Sequence, residues 1–167
     1  MKKIFIVPLA AVFLYSCSGN KTEETAAETA DSVKTVNNLQ IQIVGEWKSS
    51  ALKVKINTAL NSDSTEIIDV NEENWERVLK TKPMKTIFKD DGSYVTEYRN
   101  KKDSVIKFAS GKWYTVNDSL YLNQKQPDMM PFQYKVVVDN NMATFSGIVD
   151  WEGDEKVDDE YVSTMKK

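Results

Sequence analysis

The chain has 167 residues, enough for one domain of ordinary size and too few for two. It has no histidine, and its single cysteine, Cys17, lies ahead of any segment able to fold; histidine-dependent triads, thiol nucleophiles and most zinc or iron sites are thereby excluded. The formal net charge is −3, and the acidity is concentrated in Asp150 to Glu160, which holds seven carboxylates and one lysine, so no broad basic face for nucleic acid is expected.

Residues 1–16 read as an export signal: Lys2 and Lys3 are basic, Ile4 to Tyr15 are apolar, and Ser16-Cys17 supplies small residues for cleavage. The apolar run is shorter than the roughly 20 residues a helix needs to cross a bilayer. Leu14-Tyr15-Ser16-Cys17 resembles the lipobox of bacterial lipoproteins, although Tyr15 is a less usual residue at its position. That resemblance implies acylation of Cys17, with palmitate-type chains, and a membrane partner reached through the lipid anchor. It also implies residence in the cell envelope, at the outer membrane, with the face left open. A lone cysteine at the junction has no disulfide partner, and several acyl chains hold a protein more firmly than one. The alternative is ordinary secretion with a stray thiol. Residues 17–38 are polar, with little to bury, and read as a flexible tether that leaves 39–167 as the folded domain.

The domain opens with Gly45-Glu46-Trp47, where glycine permits a tight start and tryptophan can plug the end of a closed sheet. An insertion is expected from about Ala51 to Pro83, carrying strand-like pieces at Leu52 to Ile56 and Thr65 to Val70 and then a short helix. Asn71 is the expected cap of that helix, Trp75, Val78 and Leu79 form its apolar face, and Pro83 lies beyond it. From Met84 onward, short strands follow one another with turn signals at Asp90-Asp91-Gly92, Asn117-Asp118 and Asp139-Asn140-Asn141. No connection is long enough for a parallel crossover. Such a run leaves two unpaired edges unless its ends meet. The fold class is therefore all-β, an antiparallel up-and-down barrel of about 8–10 strands, with one short helix in the insertion after the first strand.

The Gly45-Glu46-Trp47 opening, the block Lys85 to Tyr94 and the block Ser110 to Leu122 resemble the lipocalin-like domain of small envelope lipoproteins from diderm bacteria. The resemblance implies a lipocalin-like barrel, carriage of a small hydrophobic ligand, and an insertion covering the barrel mouth; the helix packing on the barrel wall is the alternative. The chain departs from full-length lipocalins in having no long C-terminal helix, and the arginine those proteins often pack on the opening tryptophan is missing. Lys166 and Lys167 are the candidates to replace it.

Two sets of residues are candidates for a site. Trp47, Phe88, Tyr94, Tyr98, Trp113 and Tyr134 lie on strands and, facing inward, could line a ligand cavity or simply fill the core. Asp150, Glu152, Asp154 and Asp158 alternate as in calcium loops of the form Asp-x-Asp-x-Asp-Gly-x-x-Asp, with Asp159 in reach as a further ligand. Glu152 replaces an aspartate there, Glu155 stands where glycine makes the turn, and the twelfth position is Tyr161. A solvated acidic turn that discourages edge aggregation is the alternative. Calcium is the one cofactor considered, no nucleic-acid partner and no catalytic residue are expected, and a protein partner is left open. The function expected is binding rather than catalysis, with a filled barrel acting through its surface as the alternative.

Overall fold

Nine strands form one antiparallel sheet that closes on itself in the computed structural model, which describes residues 38–59, 62 and 64–167. The export signal at 1–16, Cys17 and the tether up to residue 37 lie outside the described residues. In chain order the elements are α1 (Asn38–Ile43), β1 (Gly45–Ile56), β2 (Glu66–Asn71), α2 (Trp75–Val78), β3 (Lys85–Phe88) and β4 (Ser93–Arg99). They continue as β5 (Val105–Val116), β6 (Ser119–Gln126), β7 (Met130–Asp139), β8 (Met142–Val149) and β9 (Asp159–Lys166). Pairing runs from β1 to β3 and then in sequence to β9, which returns to β1, so eight strands make the ring of an up-and-down barrel. Closure removes the free edges of the ring, and β2 stays outside it, paired to β1 alone.

The first strand is longer than the sequence suggests. Leu52 to Ile56 is the second half of β1, not a separate piece of an insertion. A bulge between Ser49 and Ala51 shifts the register against β9, pairing Ser49 with Met165 but Leu52 with Ser163. The extra residue lets Trp47 and Ser49, then Leu52, Val54 and Ile56, all bury on one face, and that one-residue slip in alternation mimics a strand break. β3 pairs with the first half of β1 and β2 with the second half. Where they diverge, Trp75 of α2 is buried against Leu52, Val54, Ile56 and Val70. Asn71 does not cap α2: its Oδ1 accepts the N–H groups of Glu73 and Asn74, and the helix begins after Asn74. Val78 faces solvent.

α1 was not expected from the alternating residues 38–43. Leu39 and Ile43, four apart on one side of the helix, are buried against Trp47, Phe88, Trp113, Leu120, Val136 and Met165 and close one end of the barrel. The chain leaves α1 through Gly45, whose φ of +128° is open to glycine and strained for other residues. Trp47 is fully buried here, and its Nε1 donates to the Ile43 carbonyl at 2.7 Å. Lys167 packs on the Trp47 ring, its Nζ 4.9 Å from the ring centroid and 2.9 Å from the Gln42 carbonyl oxygen it donates to.

Candidate functional site

Hairpin topology decides which side chains meet inside the barrel. The starts of β5, β7 and β9 and the ends of β4, β6 and β8 lie at the end opposite α1, and that end is not filled. A cavity of about 330 Å³ runs inward from it, in the size range of small-molecule sites. Its walls are Phe88 from β3, Tyr94 and Tyr98 from β4, Leu120 and Leu122 from β6, Phe132 and Tyr134 from β7, Phe145 from β8, and Tyr161 and Met165 from β9. Period-two alternation puts these residues on the inner face. Aromatic rings make much of the wall: Phe88 and Tyr94, cross-strand partners, have centroids 6.1 Å apart, and Tyr134 lies 5.4 Å from Tyr161 and 6.4 Å edge-on to Phe145.

Of the six expected lining residues, Phe88, Tyr94, Tyr98 and Tyr134 line the cavity. Trp47 and Trp113 do not; they belong to the packed floor beneath it. Trp113 Nε1 donates to the carbonyls of Lys89 and Ser93, each at 3.0 Å, which ties it to the β3–β4 turn. Phe132, Phe145 and Tyr161 were missed. Tyr161 was legible in principle, because the inward alternation Asp159, Tyr161, Ser163, Met165 begins directly after the acidic loop. Of the other strand aromatics, Tyr114 stacks on Tyr121 with centroids 4.9 Å apart, and Phe108 and Tyr114 are exposed on the outer face.

Charge is confined to the mouth. Lys107 of β5 is the one cation among the lining residues, its Nζ 5.8 Å from the Tyr98 ring centroid. Asp150 and Trp151 bring the acidic loop to the rim, and the Trp151 ring lies 6.2 Å from Tyr161. Deeper, burial raises the phenol of Tyr134 well above its ordinary pKa, and the nearby phenols of Tyr161, Tyr98 and Tyr94 add to the effect. Burial also lifts Tyr94 and Tyr161 to about 12 and raises Tyr98.

The loop carboxylates are largely occupied by the chain itself. Asp150 Oδ1 accepts the N–H groups of Gly153 and Asp154 at 2.7 and 3.1 Å, and its Oδ2 accepts that of Glu155 at 3.0 Å. Asp159 is fully buried rather than solvated; it accepts from Asn57 N at 3.1 Å and Trp151 N at 2.8 Å and so joins the loop to the end of β1. Asp154 accepts from Lys156 N at 2.9 Å and pairs with Lys156 Nζ at 3.0 Å, and the lysine's hydrogen bonds hold its carboxyl below the ordinary range. Asp158 Oδ1 is buried with no hydrogen-bond partner among the described residues. No group of three or more potential ligands is gathered about one point among the described residues.

Glu152 bears the repulsion in this loop. Partial loss of water, then the charges of Asp159, Asp154 and Asp158, holds its carboxyl above the ordinary range. A raised folded pKa means that ionised Glu152 opposes folding above that pKa and that the opposition fades as falling pH protonates it. Glu152→Gln is therefore expected to raise the thermal midpoint at neutral pH, with the gain disappearing near pH ~4, where the unfolded carboxyl also protonates. Thermal melts of both proteins across that range check the sign; a midpoint lowered at neutral pH would contradict it.

No family model matches the chain, and no curated protein matches it in sequence.

Proposed function

We propose that this protein is an acylated lipoprotein of the cell envelope, at the outer membrane, whose lipocalin-like barrel carries a small hydrophobic molecule. The observation that carries the reading is the cavity of about 330 Å³, open at one end and walled by aromatic and aliphatic side chains from β3, β4 and β6 to β9. A barrel of this size serving only as a scaffold can fill its interior with side chains, so unfilled apolar volume favours cargo. The anchor is supported by Leu14-Tyr15-Ser16-Cys17, which lies outside the described residues. Binding is preferred to catalysis because the chain lacks histidine and has its single cysteine at the anchor.

The second reading is a structural or partner-binding lipoprotein acting through its surface and steadied by calcium in the 150–160 loop; the filled barrel that this reading expected is not what the interior shows, since the cavity leaves it open. The observation in its favour is the buried, unpartnered Asp158 Oδ1, in a loop where Glu152 feels the charges of Asp159, Asp154 and Asp158 and Asp150 organises the turn.

Native mass spectrometry of the full mature protein, extracted in mild detergent from its own envelope, tests both. The expected spectrum carries two additions: acyl mass on a peptide beginning at Cys17, and a dissociable organic mass held by the folded protein. A bare protein that loses a divalent ion to chelator would favour the second reading. A bare protein indifferent to chelator would reject both the cargo and the ion, and an unmodified Cys17 would reject the anchor.

A further inference from the structure

Three tyrosines facing the cavity have hydroxyls with nothing to do in the protein's own structure. Tyr94, Tyr98 and Tyr134 line the cavity, and among the described residues no hydrogen bond engages their hydroxyls. The other polar side chains in the wall are largely taken. Thr86 and Thr96 bond each other at 2.9 Å, Tyr161 bonds Ser163, and Asp150 is held by three backbone N–H groups. Buried polar groups are normally hydrogen-bonded, and phenylalanine would fill the same wall without desolvating a hydroxyl. The hydroxyls of Tyr94, Tyr98 and Tyr134 are not among the side-chain atoms shut off from solvent, so they face the open cavity, and three phenols without a protein partner amid Phe88, Leu122 and Phe145 suit a role toward whatever enters.

The chemistry of that partner follows from charge. Desolvated phenols with raised pKa values keep their protons at neutral pH and can donate. The one cation in the lining, Lys107, lies at the mouth beside Tyr98, so it can counter an ionised head group only at the Tyr98 end of the cavity, and one held by Tyr94 and Tyr134 would have no counter-charge. A pure hydrocarbon would leave all three hydroxyls unsatisfied.

Building on the carriage reading, we propose that the cavity selects an uncharged apolar molecule bearing an acceptor oxygen, such as a ketone or ester, which docks on the hydroxyls of Tyr94, Tyr98 and Tyr134. The acceptor lies inside the barrel, with the hydrocarbon portion against the phenylalanines and leucines.

Displacement of the neutral fluorophore N-phenyl-1-naphthylamine from the full mature chain tests this, with decane, the methyl ketone of matching length and decanoate as competitors. The ketone is expected to compete at about tenfold lower concentration than the hydrocarbon. The Y94F/Y98F/Y134F variant should bring the ketone down to the hydrocarbon's level, leave hydrocarbon binding intact and not lower the thermal midpoint. The single Tyr→Phe variants supply the same comparison if the triple variant does not fold. Equal competition by ketone and hydrocarbon in the unaltered protein would overturn the proposal while leaving carriage standing. Tightest competition by decanoate, abolished by Lys107→Ala, would overturn it in favour of an anionic head held at the rim. Failure of the fluorophore and every competitor to bind would overturn the carriage reading itself and this inference with it.

Discussion

Trp47→Ala is expected to cost about 3–5 kcal/mol of unfolding free energy, among the largest losses a single truncation can cause here. The indole is fully buried at the α1 end, among Leu39, Ile43, Phe88, Trp113, Leu120 and Met165. Removing it deletes transfer energy and leaves a void that α1 and the strand ends can only partly collapse into. It also removes the donor to the Ile43 carbonyl and the aromatic face beneath Lys167 Nζ. Trp47→Phe keeps much of the volume but loses the indole N–H, so a smaller loss of about 1–2 kcal/mol is expected. Urea titrations read both as a fall in midpoint at constant slope. A loss below about 1 kcal/mol for the alanine variant would mean that the floor is not organised around Trp47.

Trp47 was also one of the residues most legible in the sequence, because glycine followed by a tryptophan at the head of a strand is a local pattern. The same holds for the hairpin turns. Asn117 and Asn140, with φ of 54° and 53°, open two-residue loops, and their side chains tolerate that backbone wherever it occurs. What was not legible depended on distant partners. Asn38–Ile43 alternates polar and apolar residues as a strand would; it is helical because Leu39 and Ile43 bury against residues as remote as Met165, while Ile41 points to solvent. The bulge at Ser49–Ala51 is visible only against the register of β9. The ligand candidates were separated by a coordinate that alternation does not contain. Trp47 and Tyr98 both face inward, but depth along the barrel makes one floor and the other wall. In the acidic loop the carboxylates were conspicuous, yet the N–H groups that hold Asp150 and Asp159 leave no trace in residue type.

Gly111→Ala is the second change expected to disrupt the barrel, for a reason independent of hydrophobic burial. Gly111 sits where the β5–β6 register slips, with Ser110 opposite Gln126 and Gly111 opposite Gln124. A Cβ at this position would collide with the Asn123 carbonyl oxygen and lie 2.9 Å from both the Asn123 carbonyl carbon and the Gln124 Cα. All three are backbone atoms, so no rotamer change relieves the clash; β6 must move or lose its pairing with β5. Overpacking of side chains alone costs about 1–3 kcal/mol, and displacing a paired backbone should exceed that, so a loss above about 3 kcal/mol or failure to fold is expected. Gly153→Ala is the matched control. Its φ of +79° carries a strain of about 1–2 kcal/mol for alanine, but nothing lies within 4 Å of the added carbon. Thermal and urea unfolding of the two variants should therefore rank Gly111→Ala far below Gly153→Ala. The reverse order would show that β5 and β6 are not held this close. Because Ala109 and Gln124 face the cavity on either side of this slip, a Gly111→Ala protein that does fold should also lose fluorophore binding, whereas Gly153→Ala should retain it.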